Sequence, residues 1–187
     1  MWYLLPVALA KYAPMPVSAM MVHADVIVAG EIATVSEETF TVSVATGFVG
    51  AAAGDTLEVA RFRDWPCASR WEPYAAGQSV FLMLSTDDAG GLRILSAGGE
   101  GESPARGGNL YLRGHGLPGE AEPLVEGSWR TGVPAGTDAV AASVAALRRC
   151  YAPVGDDWSL HRQCSDRVRD SYIVEGGLVG ALLSQAP

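Results

Sequence analysis

The chain has 187 residues, of which 49% are hydrophobic and 18% are charged, and its formal net charge is −8 at pH 7. This composition is typical of one globular domain with a hydrophobic core, and it excludes a disordered chain. The acidic balance and the scattered arginines argue against a nucleic-acid partner, because phosphate-binding surfaces need clustered cations.

The first ten residues, MWYLLPVALA, form an apolar run that ends in small residues. This run is typical of a secretory signal peptide cleaved after Ala10, although no cationic residue precedes it. The alternative is a packed first strand. No apolar run reaches the roughly 18–20 residues that span a bilayer, so we predict no membrane span. We therefore expect an exported protein, located in the periplasm, at the cell surface or outside the cell.

Residues 11–113 carry mainly β patterns. A short helix is expected at 16–23, and alternating or continuous apolar runs predict strands at 25–35, 39–46, 56–62, 79–85, 92–96 and 110–112. The run at 79–85 is almost entirely apolar, which indicates a strand buried on both faces. Gly30 interrupts the first strand and predicts a bulge or bend there. Five or six short strands at this spacing predict a small closed or partly open barrel.

The C-terminal third changes to a helical period. Residues 114–136 are rich in glycine and proline and are interpreted as an irregular connection. Apolar stripes then predict two helices, one on Val140, Val144, Leu147 and Tyr151, the other on Leu160, Cys164, Val168 and Tyr172. Asp156 or Asp157 would cap the second helix. The expected fold is mainly β with α, an OB-like barrel followed by a C-terminal helical hairpin at 137–187 that packs on the barrel.

Two segments carry a family resemblance. Residues 24–32 read ADVIVAGEI, and Cys67, Tyr74 and Gly77 precede the run VFLML at 80–84. These motifs resemble those of bacterial relatives of the tissue-inhibitor-of-metalloproteinases and netrin-module superfamily, over roughly residues 16–97. The resemblance implies an exported oligonucleotide/oligosaccharide-binding (OB) barrel. The superfamily's inhibitors present an amino-terminal cysteine to a catalytic metal, but no cysteine precedes Cys67 here, so the resemblance does not extend to that mechanism.

Three cysteines occur, Cys67, Cys150 and Cys164, and no C-x-x-C motif is present. A disulfide between Cys150 and Cys164 is the first interpretation. Cys164 lies on the apolar stripe of the second predicted helix, which faces the first, and a hairpin folded at 153–157 would bring Cys150 to within about one helical turn of it. Two buried thiols are the second. A zinc site that adds His161 is the third, but it lacks a fourth protein ligand. We accordingly predict no metal and no cofactor.

The loop at 63–76 concentrates aromatic residues. Trp65, Trp71 and Tyr74 either close the open end of the barrel or form a surface that grips a ligand or a partner protein. They are the predicted ligand- or partner-binding residues. No catalytic residue is predicted, since no G-x-S-x-G motif or comparable constellation occurs.

Three functions are therefore considered. The first is an exported, non-catalytic binding module that acts on a protein partner through the 63–76 loop. The second is a structural or accessory subunit of a cell-envelope assembly that docks through its helical tail. The third is an enzyme whose site is assembled only in the fold. A fold by itself does not choose among them.

Overall fold

The computed structural model of the chain describes residues 14–114, 117–155 and 158–186. The predicted signal-like segment at 1–10 and the predicted helix caps Asp156 and Asp157 lie outside these residues. Within the described residues the fold is mainly β, with helices at the start and in the C-terminal third.

Five strands close into a barrel. They are β1 (Val26–Val35), β2 (Thr39–Val49), β3 (Thr56–Ala60), β4 (Ser79–Thr86) and β5 (Leu92–Ile94). They pair in the order β1-β2-β3-β5-β4, and β4 pairs with β1 to close the circle. The β3–β5 pair is parallel and the others are antiparallel. The predicted OB-like barrel of five to six strands is confirmed.

The side-chain pattern explains why these segments form a barrel. In β2, Phe40, Val42 and Val44 are buried while the residues between them face outward, as period-two alternation requires. The central residues of β4 are all buried, because one face fills the barrel and the other lies under the helices. The pairing of β1 with β2 shifts register between Ala29 and Gly30, which confirms the predicted irregularity. A Cβ at Gly30 would collide with the Ser43 carbonyl oxygen.

Four further strands extend the sheet from β4. They are β6 (Glu102–Arg106), β7 (Asn109–Leu112), β8 (Glu122–Pro123) and β9 (Thr131–Gly136). The sheet continues in the order β4-β6-β7-β9-β8. β8 and β9 lie inside the segment 114–136, for which the glycine and proline content predicts an irregular connection. β6 was also missed, because its sequence ESPAR lacks apolar alternation and contains a proline.

The helices cover one side of the barrel. α1 (Val17–His23) and α2 (Thr137–Cys150) pack against each other. Both helices share one hydrophobic cluster with the outward-facing residues of β4. Met20, Leu147 and Met83 belong to this outer core, while Phe40 and Leu82 belong to the core inside the barrel. The barrel wall therefore has hydrophobic packing on both sides where β1 and β4 pass under the helices.

The C-terminal region differs in part from the prediction. The chain leaves α2 through a two-stranded hairpin, β10 (Tyr151–Val154) and β11 (Ser159–Arg162), where the start of a second helix is predicted. Only then follow α3 (Asp166–Glu175) and α4 (Gly177–Gln185), which contact each other as a helical hairpin-like tail. Among the residues that the structure describes, no helix has both the length and the hydrophobicity to cross a membrane.

Candidate binding groove

The segment 61–78 connects β3 to β4 at the end of the barrel where the β1–β2 turn also lies. Within it the backbones of Trp65 and Ala68 exchange hydrogen bonds of 2.8 and 3.0 Å, which closes a tight turn. Between this loop and the β1–β2 turn lies a groove of about 560 Å³. We refer to residue 37 and residues 61–64 and 70–74, which line this space, as the loop groove.

A buried ion pair anchors the loop to the sheet. The Arg70 side chain is 4% exposed and that of Glu102, the first residue of β6, is 1% exposed. Arg70 Nη2 lies 2.9 Å from Glu102 Oε1, and Arg70 Nε donates to the same oxygen at 3.0 Å. Arg70 Nη1 also donates to the Glu72 carbonyl at 2.7 Å, and the Arg70 amide donates to Asp64 Oδ1 at 2.8 Å.

Tyr74 completes the anchor. Its hydroxyl donates to Glu102 Oε2 at 2.7 Å and accepts a hydrogen bond from the Phe62 amide at 2.9 Å. Burial and the neighbouring Glu102 carboxylate both raise the pKa of Tyr74 far above its ordinary value of 10.0, so the phenol stays protonated. Burial also raises the pKa of Glu102, although the Arg70 guanidinium opposes this shift. Both carboxylate oxygens of Glu102 thus have partners. We call Arg70, Tyr74 and Glu102 the anchor cluster.

Guanidinium groups and rings stack around the same point. The Arg70 Cζ lies 4.1 Å from the centroid of the Trp71 ring and 4.0 Å from that of the Tyr74 ring. Arg61 Cζ lies 4.9 Å from the Tyr74 ring, and the Phe40 and Tyr74 centroids are 4.9 Å apart. Cation–π contacts strengthen when they are shielded from water, so this stack adds to the stiffness of the loop.

The loop groove has a mixed electrostatic character. Arg61, Arg63 and Arg70 contribute positive charge, and Glu37, Asp64 and Glu72 contribute negative charge. Several of these groups already have partners. Arg61 Nη1 donates to the carbonyls of Ser36 and Glu37 at 2.8 and 3.1 Å, and Arg63 pairs with Glu38 at 3.3 Å on the surface. The surface is therefore polar and charged, without an excess of either sign.

The three predicted aromatic residues do not act alike. Trp71 and Tyr74 line the loop groove and also pack against the core of the barrel, so they close the barrel end and form the groove together. Trp65 is 38% exposed, does not line the groove, and donates its indole N–H to the Ala97 carbonyl at 2.8 Å. The sequence indicated neither Arg61 nor Arg70, and it did not indicate that Glu102 pairs with Arg70. Their pairing joins residues far apart in the chain, which no local pattern reveals.

The predicted disulfide is present. Cys150 and Cys164 are bonded, with their Cα atoms 4.5 Å apart, and Cys67 is exposed without a disulfide partner. The β10–β11 hairpin, rather than two facing helices, brings the two cysteines together. His161 lies in β11 and not on a helix beside Cys164. Across residues 14–114, 117–155 and 158–186, no three His, Cys, Asp or Glu side chains are grouped closely enough to hold a metal ion.

Comparison of the chain with protein-family models, with curated proteins and with solved structures gives no match.

Proposed function

We propose that this protein is an exported, non-catalytic binding module that holds a protein partner in the loop groove. The observation that carries the proposal is the anchor cluster, which fixes the loop through a buried ion pair and a partly buried phenol. Buried ion pairs contribute little net stability compared with hydrophobic residues of similar volume. A loop held in one conformation gains instead in binding, because less conformational entropy is lost when the partner arrives.

The chemistry of the groove favours a protein segment as its occupant. Aromatic rings and arginines are the residue types enriched at the energetic centre of protein interfaces. Arg61, Trp71 and Tyr74 supply these groups, and the acidic Glu37 and Glu72 lie beside them. A nucleic-acid backbone would meet carboxylates in the groove and arginines already bonded to protein acceptors, so we propose no such partner.

The chemistry of the anchor cluster also supports a non-catalytic role. A general base must offer a carboxylate oxygen to a substrate proton. Glu102 instead uses Oε1 for Arg70 and Oε2 for Tyr74. The most deeply buried carboxylate beside the groove is thus committed to holding the loop.

Export is proposed on two grounds. Disulfides persist mainly in oxidising compartments, and Cys150–Cys164 is such a bond. The apolar segment at 1–10 is the second ground. Membership of the tissue-inhibitor-of-metalloproteinases and netrin-module superfamily is also proposed, on the sequence motifs alone.

Docking through the tail in a cell-envelope assembly is the second candidate. One observation favours it: α3 fully buries none of its residues, and its Val174 is 86% exposed. A single exposed apolar residue is common on protein surfaces. The exposure of Val174 therefore supports docking through the tail less strongly than the anchor cluster supports binding in the loop groove.

The test is affinity purification of the tagged full chain from the envelope fraction of the native organism. Arg63→Glu changes the groove at an exposed side chain, whereas Val174→Ser is the matched change on α3. The proposal predicts one protein that is enriched by the wild type and by the Val174→Ser variant. Its recovery should fall about fivefold or more with Arg63→Glu, as for an interface residue that contributes over about 1 kcal/mol. Loss with Val174→Ser alone would favour docking through the tail, and equal recovery with all three chains would reject both.

A further inference from the structure

One side of α2 is left exposed by the elements that pack around the helix. Its buried residues, among them Val140 and Leu147, belong to the outer core, and the helix contacts α1, α4 and β9. Four exposed residues lie three or four positions apart and therefore share the other side of the helix. They are Asp138, Ala142, Ala145 and Arg149, and we call them the α2 face.

An apolar groove of about 520 Å³ borders the α2 face, between the helix and residues 46–49 at the end of β2. Phe48 and Val49, both half-buried, line it together with the buried Val144. No charged residue occurs from Thr39 to Gly54, so β2 presents an uncharged flank to the groove. Apolar surface of this kind marks sites of contact with other proteins.

The two charged residues stand at opposite ends of the α2 face. Asp138 lies in the first turn of α2 and Arg149 in its last turn, three helical turns or about 16 Å apart. Within residues 14–114, 117–155 and 158–186, neither residue forms an ion pair. The face therefore fits a helix that offers a cation opposite Asp138 and an anion opposite Arg149.

A second copy of α2 offers this pattern, because the spacing of the α2 face is symmetric. Ala142 follows Asp138 by four residues, and Arg149 follows Ala145 by four residues. When two helices lie antiparallel across a twofold axis, Asp138 of each copy comes opposite Arg149 of the other. Ala142 then comes opposite Ala145, where the small side chains let the helices approach closely. The antiparallel arrangement also sets the positive end of each helix dipole beside the negative end of the other.

The distribution of charge favours a contact at this place between copies whose net charge is −8. Asp138 and Arg149 cancel, and Arg148 is the one other charged residue among the described residues that line the groove. Arg148 Nη1 donates to the carbonyls of Val22 and Ala24 at 3.1 and 2.9 Å, so its guanidinium lies at the end of α1. Two copies therefore meet here without the like-charge repulsion that opposes contact elsewhere on the acidic surface. From these observations we infer that the chain forms a twofold dimer through the α2 face and its groove.

The expected dimer is weak. Stable interfaces bury about 1,200–2,000 Å² in total, whereas α2, with 14 residues, is only about 21 Å long. Contacts of this size hold at micromolar concentrations, so we expect a dissociation constant of about 10–100 μM.

Sedimentation equilibrium of the full chain, from about 5 to 500 μM, tests the dimer. Asp138→Arg and Arg149→Asp each give the α2 face two like charges, so each variant should self-associate about tenfold or more weakly than the wild type. An equimolar mixture of the two variants should associate as strongly as the wild type, since every arginine then meets an aspartate across the twofold axis. This recovery distinguishes paired charges from damage to the helix, which mixing does not repair.

Ala145→Arg places a long charged side chain at the middle of the contact and should raise the dissociation constant by about tenfold or more. Ala139→Arg is the matched control, because Ala139 is exposed about a quarter turn away on the same helix. It should leave the dissociation constant unchanged, as should Arg63→Glu at the loop groove. A wild type that is still monomeric at about 500 μM would overturn the inference in favour of a different protein at this face. So would equal weakening by the two alanine variants, or a mixture that associates no better than its components.

Discussion

Replacement of Arg70 by methionine tests the anchor cluster most sharply. The change removes the guanidinium, whose Nε donates to Glu102 Oε1 and whose Nη2 forms the ion pair with it. The carboxylate, which is 1% exposed, then keeps the hydrogen bond from the Tyr74 hydroxyl. Loss of one partner from a buried ion pair typically costs about 3–5 kcal/mol. That is a large part of the roughly 5–15 kcal/mol that stabilises a typical domain. We therefore expect Arg70→Met to be close to the limit of stable folding.

The double variant Arg70→Met/Glu102→Leu removes both charges of the ion pair but keeps the space filled by apolar side chains. Since no buried charge is left unpaired, its stability should lie within about 1 kcal/mol of the wild type or above it. The exposed pair Arg63–Glu38 is the matched control, and Arg63→Met should cost under about 1 kcal/mol.

Urea unfolding, followed by circular dichroism and tryptophan fluorescence, measures these differences as shifts of the midpoint at constant slope. A cost below about 1 kcal/mol for Arg70→Met would refute the argument that the pair is buried and coupled. Additive effects of Arg70→Met and Glu102→Leu in the double variant would refute it as well.

Three other outcomes are expected. Reduction of the Cys150–Cys164 disulfide should lower the melting temperature by roughly 6–12 °C, since the bond encloses a short loop worth about 3 kcal/mol in a chain of this size; an unchanged melting temperature would contradict this. Gly30→Ala should destabilise by about 1–3 kcal/mol because its Cβ meets the Ser43 carbonyl. Gly136→Ala has open space and a negative φ at the N-cap of α2, so it should cost under about 1 kcal/mol, through weaker capping alone. Equal urea midpoints for the two would remove the steric explanation. The raised pKa of Tyr74 makes the folded state hold its proton where the unfolded state loses it, so this contribution to stability is complete below about pH 10 and is lost at higher pH. Tyr74→Phe should therefore lose stability less steeply between about pH 10 and 12 than the wild type, and parallel pH profiles would contradict the assignment.

The barrel strands were predictable because their hydrophobic patterns are local. Phe40, Val42 and Val44 alternate as a half-buried strand requires, and the continuous run in β4 indicates burial on both faces. Gly30 marks the bulge because the close approach of Ser43 leaves no room for a side chain.

The C-terminal hairpin was less predictable because its spacing is ambiguous. Residues four apart lie on one side of a helix but also on one face of a strand. Leu160 and Cys164 therefore fit both, and the structure places Leu160 in β11. Pro153 sits in β10, in a two-stranded sheet where both strands are edges and a missing N–H is tolerated.

The anchor cluster could not be predicted from local patterns. Arg70 lies in a loop, and Glu102 begins a strand whose sequence is mostly polar. Local sequence therefore predicts neither residue to be buried, although both are. Their burial follows from the extension of the sheet by β6, which brings Glu102 opposite Leu82 of β4 and under the loop. Trp71 and Tyr74, two of the three predicted aromatic residues, line the loop groove, while the groups that hold the loop emerge only in the tertiary structure.

Site-specific photo-crosslinking tests the proposed function most directly. A photoreactive amino acid replaces Arg63 at the loop groove in one chain and Val174 on α3 in another, and both are irradiated in living cells of the native organism. A discrete adduct with one protein from position 63, and none from position 174, is the predicted result. An adduct from position 174 with none from position 63 would contradict the assignment of the loop groove as the partner-binding surface.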